Sequence, residues 1–208
     1  MAFKNIKTVL ACCALMAAVC SCGGKADNGK KMTAEELNEM GSAYMFGNGV
    51  EKDYGQAAVW FQRAADKGSA LALYELAYLY DNGFGVDKDH SKSFEYLLNS
   101  AEAGFATAQY IVGQNFFTGT NTEKNETAAF GWFKKAADQG LVCGITAVAE
   151  CLENGYGVSV DKVEASKWYH DAVARYLKIK SDIQDETEEF RKMEEEAYAK
   201  ALEGMARF

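Results

Sequence analysis

The sequence predicts an all-α fold, a right-handed α-α superhelix of stacked helical hairpins, and three observations predict it. An aromatic recurs every 36 residues, as Trp60, Tyr96, Trp132 and Trp168, and small residues keep step with it: Gly41, Ala77, Gly113 and Ala149 share one phase, Gly47, Gly83, Gly119 and Gly155 another. Proline is absent from all 208 residues, which suits a chain that is helical throughout, since proline costs about 3 kcal/mol inside a helix. Within each unit, apolar residues fall at helical spacing, as in Leu73, Leu76, Ala77 and Tyr80. A period in the thirties with fixed small and aromatic phases marks a solenoid, whose units bury their apolar faces only against one another.

The first element is a leader. Lys4 and Lys7 precede an apolar stretch from Thr8 to Val19 and then small residues, the layout of an export signal over residues 1–21. The stretch is short of the roughly 20 apolar residues that span a bilayer. Val19-Cys20-Ser21-Cys22-Gly23-Gly24 resembles a bacterial lipobox, in which a cysteine after a small residue is acylated and becomes the mature N-terminus. Cys22 follows Ser21 and is the better acceptor; Cys20 follows the bulkier Val19. Lipidation would make this an exported lipoprotein of the cell membrane or outer membrane, facing periplasm or cell surface, with each buried methylene contributing about 0.8 kcal/mol. Residues 22–32 then form a short polar linker. Loss of the leader removes two lysines and no acid, leaving 20 basic against 30 acidic residues. That balance gives no support to nucleic-acid binding, which wants a basic stripe, and favours a cationic partner surface.

Four repeats follow, over about 33–68, 69–104, 105–140 and 141–177. In the second, helix A runs into Gly83-Phe84-Gly85-Val86, where glycine closes the helix and reverses the chain. Asp89 caps helix B, as its counterparts Asp53, Asn125 and Asp161 cap theirs; Asp53 with Gln56 and Asp161 with Glu164 approximate capping boxes. Gly104 ends helix B. The third turn departs, with Gly119-Thr120-Asn121-Thr122, where Asn121 is the residue best able to replace glycine at a left-handed position. Trp132 is expected to lie buried between hairpins. In the fourth copy Val173 and Tyr176 replace the usual Ala and Gly, so helix B should run on past its stop. Residues 178–208 read as an acidic capping helix for the last hairpin, with Ile183, Phe190, Met193, Ala197, Tyr198, Leu202 and Met205 on one stripe and Glu194-Glu195-Glu196 on a solvated face.

These residues resemble the Sel1-like repeat family, related to tetratricopeptide repeats. The resemblance rests on Gly41-x-x-Tyr44-x-x-Gly47-x-Gly49-Val50-x-x-Asp53, then Ala57-x-x-Trp60-Phe61-x-x-Ala64-Ala65-x-x-Gly68, and recurs in three further copies. It implies a non-enzymatic protein–protein interaction scaffold or adaptor. A cysteine-rich branch of the family pairs cysteines eight apart, one ending helix B and the other in the next helix A. Here Cys143 and Cys151 both fall in helix A of the fourth copy, about 12 Å apart along it, beyond the roughly 7 Å a disulfide allows, and are expected to be free.

Analogy with tetratricopeptide repeats places the partner-binding groove on helix A positions just off the packed face. These are Tyr74, Tyr78 and Asp81 in repeat two, Tyr110, Gln114 and Phe117 in repeat three, and Thr146, Glu150 and Glu153 in repeat four. The partner implied is a protein or peptide segment with basic residues, with tyrosines as anchors. The competing reading has these rings packed against the adjacent hairpin.

A second reading, from another class, is a cell-envelope enzyme or inhibitor acting on peptidoglycan or β-lactams. Ser159-Val160-Asp161-Lys162 matches the Ser-x-x-Lys string of penicillin-recognising enzymes, but no Lys-Thr-Gly strand or α/β pattern accompanies it. The two histidines, His90 and His170, stand in no local cluster and are expected on the surface. No catalytic residue, metal site or cofactor is expected.

Overall fold

The computed structural model describes residues 32–182 and 188–207, without the side chains of residues 181–191. The leader, Cys22 and Ile183, and the side chain of Phe190, lie outside that description. Among the described residues nine helices follow one another. Four hairpins pair α1 (Ala34–Phe46) with α2 (Tyr54–Ala65), α3 (Ala70–Asn82) with α4 (His90–Glu102), α5 (Ala106–Thr118) with α6 (Glu126–Asp138), and α7 (Val142–Asn154) with α8 (Lys162–Asp182); α9 (Glu188–Met205) completes the chain. This is the expected all-α solenoid.

Local chemistry sets each boundary. The odd-numbered helix of every hairpin ends on a left-handed glycine, from φ 71° at Gly83 to 80° at Gly155, whose N–H returns to the carbonyl four residues back. Asp53, Asp89, Asn125 and Asp161 each accept the backbone N–H three residues on, at 2.9 to 3.0 Å, a cap worth about 1 kcal/mol. The reciprocal box forms at Thr33 and Glu36. Asn121 takes φ 59°, the expected substitute for glycine. Helix α8 runs 21 residues, well past the stop used by its counterparts.

The tryptophan column is not the core column. Trp60 is almost covered, but Trp132 and Trp168 are half-buried, and cations sit on their outer faces: Arg63 over Trp60, Lys135 over Trp132 at 3.6 Å, Lys134 over Trp168. The expected burial of Trp132 is therefore corrected. The buried column is the next residue in each repeat, Phe61, Leu97, Phe133 and Tyr169. Where that residue is phenylalanine the facing helix carries glycine: a Cβ at Gly41 or Gly113 would stand about 2.6 Å from the Phe61 or Phe133 ring. Tyr96 stacks on Tyr80 within its own hairpin and donates to Gln62 Oε1 of the previous repeat at 2.8 Å.

The last third departs from the regular array. Successive first helices of the hairpins barely touch, yet α9 packs on α7 nearly as extensively as on α8. It is therefore not a fifth copy of the first helix; it crosses the face that α3 and α5 leave open. Its own Ala197 and Ala201 are buried in the contact, and a side chain at its Gly204 would collide with the Tyr169 ring. The expected solvated Glu194-Glu195-Glu196 run is corrected in one member. Glu195 and Glu196 are exposed, but Glu194 is 2% exposed, and its carboxyl lies against the Cys143 thiol.

Candidate functional site

The groove is built from the first helices of repeats two to four. Two cavities open along it, one of about 720 Å3 between repeats two and three and one of about 620 Å3 between repeats three and four, and Ile111, Asn115 and Thr120 line both. Seven of the nine sequence-predicted positions line these two cavities: Tyr74, Tyr78 and Asp81 the first, Tyr110, Gln114, Phe117 and Glu150 the second. Thr146 lines a smaller cavity beside them. Glu153 lines none of the three and lies at the end of α9.

The aromatic residues serve the scaffold and the groove together. Tyr74 stands 5.1 Å from Phe105 of the next repeat, Tyr78 5.9 Å from Phe84, and Tyr110 5.7 Å from Phe133, centroid to centroid. Phe117 meets Phe133 and Tyr156. All are half-buried, so each packs one side and offers the other. Burial pushes the Tyr110 hydroxyl well above its ordinary range, with Cys143 and nearby glutamates adding to the shift, and Gln114 donates to that hydroxyl at 2.8 Å. Tyr110 is thus a neutral hydrogen-bonding group at any working pH.

The cavity between repeats two and three is bordered by the irregular turn, through Thr120 and Asn121. Gly85 and Gly157 press against the start of the preceding repeat's second helix, where a Cβ would run into the backbone of Tyr54–Gly55 or Glu126–Thr127. Asn121 holds that same position in the third repeat and carries a Cβ, so its turn cannot close on His90–Ser91 as tightly. Asp81 and His90 line the cavity beside it, joined at 2.7 Å from Oδ1 to Nδ1. His90 was expected to be an isolated surface residue; it is exposed but paired. His170 Nδ1 lies 2.7 Å from the Ser166 carbonyl oxygen on its own helix.

In repeat four the equivalent positions are taken by the chain itself. Thr146 is buried and donates to the Ala197 carbonyl, Glu150 meets Lys200 at 3.6 Å, and Glu153 receives Arg207 Nη1 on both oxygens at 2.8 and 3.0 Å. Three positions expected to face a partner therefore face α9 and the two residues that follow it. Burial raises the Glu153 carboxyl, but hydrogen bonds from Arg207 and Tyr169 and the Arg207 charge outweigh it and hold the group below the usual carboxylate range. Sequence reasoning placed these residues in the groove and missed its occupant. Little in α7 announces it: the helix is buried from Val142 to Ala149, yet the positions turned to the cover are Thr146, Glu150 and Glu153, residue types that suit an open groove equally well.

Cys143 and Cys151 are both free and buried. Burial pushes the Cys151 thiol up to about 12, and the Cys143 thiol higher still with the Glu194 charge beside it, so neither is a ready nucleophile. Among the described residues no group of histidines, cysteines and acids is placed to hold a metal ion.

A family model described as Sel1 repeat matches residues 37–69, 70–105, 106–141 and 144–175. The chain belongs to the Sel1 repeat family. Solved Sel1 structures superpose on it. The Sel1 repeat protein from Oxalobacter formigenes is 30% identical with a TM-score of 0.67, covering 68% of this chain and 41% of that one. The protective antigen c5321 of uropathogenic Escherichia coli, which displays an SLR fold, is 26% identical with a TM-score of 0.63, covering 82% of this chain and 38% of that one. The chain thus spans about two fifths of the length of either structure. No curated protein sequence matches it. Sel1 repeat proteins generally act in protein–protein interaction, and the family is typically a non-enzymatic scaffold.

Proposed function

We propose that this chain is a non-enzymatic adaptor of the bacterial cell envelope, exported by residues 1–21, acylated at Cys22 and tethered by residues 22–32. Its four repeats, over 33–177, present the groove of repeats two and three to a protein or peptide segment with basic residues, and residues 178–208 close the far end. The observation that carries the reading is the groove itself. Tyr74, Tyr78, Asp81, Tyr110, Gln114 and Phe117 line two adjoining cavities, and half-exposed rings with polar tips are the residue types on which interfaces anchor.

A crosslinking pull-down from envelope membranes tests it. Cys22→Ala should move the protein from the membrane to the soluble fraction, and Cys20→Ala should not. Gln114→Arg adds a positive charge at an exposed groove position without touching the packed ring faces, and should abolish capture while leaving the helical circular dichroism unchanged. Undiminished capture by Gln114→Arg would remove the groove from the account; membrane retention of Cys22→Ala would remove the anchor.

A further inference from the structure

The solenoid carries a worked example of its own ligand. By the 36-residue register, Asp81 of repeat two corresponds to Glu153 of repeat four, Tyr78 to Glu150, and Tyr74 to Thr146. In repeat four all three positions are engaged by α9 and the short turn that follows it, through the Ala197 carbonyl, Lys200 and then Arg207 just past the helix end. That helix lays small residues on the groove, Ala197 and Ala201 among them, and sends its basic side chains to the acids at the rim.

The two acids share more than register. Each has a basic residue of its own hairpin nearby, at the position where the second helix begins: His90 touches Asp81, and the Lys162 charge acts on Glu153. Glu153 then takes Arg207, two residues past α9, in addition, shared between both oxygens. Asp81 keeps half its side-chain surface exposed toward a cavity walled by Tyr74, Tyr78 and Phe94. A carboxylate at the mouth of an aromatic-walled cavity suits a guanidinium, which can pair with the acid while lying against a ring face.

We propose that the cavity between repeats two and three is a subsite for an arginine at the C-terminal end of a partner helix of the same design as α9, with small residues toward the groove and the arginine on Asp81. This deepens the adaptor reading and rests on it. Asn121 borders the subsite at the position where Gly85 and Gly157 make their close approaches, and it alone of the three brings a side chain there.

The test uses the full chain and a fluorescent alanine-based helical peptide carrying lysine and arginine at the spacing of Lys200 and Arg207, read by anisotropy. The proposal expects saturable binding that Asp81→Asn weakens at least about tenfold, the scale of one charge-assisted pair, that Glu153→Gln leaves alone, and that replacing the peptide arginine by glutamine abolishes. Binding lost in Glu153→Gln but kept in Asp81→Asn would mean that the peptide displaces α9, and would overturn the subsite. Absence of binding would overturn it as well; partner capture from membranes that still depends on Gln114 would then leave the adaptor reading standing without it.

Discussion

Repeats two and four are built on one register and end in opposite states. In repeat two, α3 buries one face, through Ala72, Leu76, Ala77 and Leu79, and leaves Tyr74, Tyr78 and Asp81 facing a cavity. In repeat four, α7 buries nearly every residue from Val142 to Leu152, because α9 covers the side that repeat two leaves open. The difference lies in what the hairpin is asked to pack against rather than in how it folds, since the glycine-closed turn, the aspartate cap of the second helix and the buried position after the repeating aromatic, Leu97 or Tyr169, are common to both. Thr146, Glu150 and Glu153 of α7 are no less polar than Tyr74, Tyr78 and Asp81 of α3, so the cover and not the polarity of the helix separates the two repeats.

The sharpest way to break this comparison is to remove the side chain on which the cover rests. Tyr169 is almost fully buried, touches the backbone at Gly204 and donates to Glu153. Tyr169→Ala should cost about 3 to 5 kcal/mol in urea unfolding, whereas Trp132→Ala, half-buried under Lys135, should cost about 1 to 2 kcal/mol, roughly half of a full burial. Equal losses would mean that the tryptophan column is core after all.

A gentler variant separates the cover from the array. Gly204→Leu overfills the contact with Tyr169 and should destabilise by about 1 to 3 kcal/mol, all of it at α9. Its signature is chemical: Cys143, shielded beside Glu194 with its thiol pushed up, should become open to iodoacetamide while the helical signal of the repeats persists. Continued protection of Cys143 would show that α9 does not depend on that close approach.

Acid gives a smaller effect of fixed sign. Because Glu153 is held below the usual carboxylate range in the folded chain, its pairing with Arg207 is fully present above the unfolded value of about 4.3 and is lost as pH falls through the folded value. Lowering the pH from 5 toward 3 should therefore loosen α9, seen as faster cleavage beside Leu202 by pepsin, which is active in that range, and Glu153→Gln should flatten that part of the profile. A Glu153→Gln profile identical to the parent's would assign the loosening to other carboxylates. The smallest effect is expected at the exposed pair in repeat two, where His90→Ala should change stability by less than about 1 kcal/mol in the same urea assay; a larger loss would make the pair part of the scaffold.

The periodic parts of this architecture were legible in the sequence because they are local. Gly83 and Asp89 need only their own backbone neighbours to end one helix and begin the next, and Asn121 declares its left-handed turn by its type. The long α8 was readable from the missing glycine at Tyr176. What the register could not give was depth. Trp132 and Phe133 are adjacent, and which of them points inward depends on the rotation of the helix against its neighbours, which periodicity alone leaves open by one residue. The groove positions followed from analogy, but the partner of Glu153 lies 54 residues away, beyond anything spacing can connect. Glu194 reads as one acid among three and is buried only because α9 turns that side toward Cys143.

The central claim is that one groove is closed by the chain in repeat four and left for another protein in repeat two. Tyr78 and Glu150 hold the same register position, so a photo-crosslinking amino acid placed at one and then the other, in cells, tests it most directly. The account predicts adducts to a separate protein from position 78, and from position 150 an internal link to the α9 peptide containing Lys200. Adducts to a separate protein from position 150, with none from position 78, would contradict it.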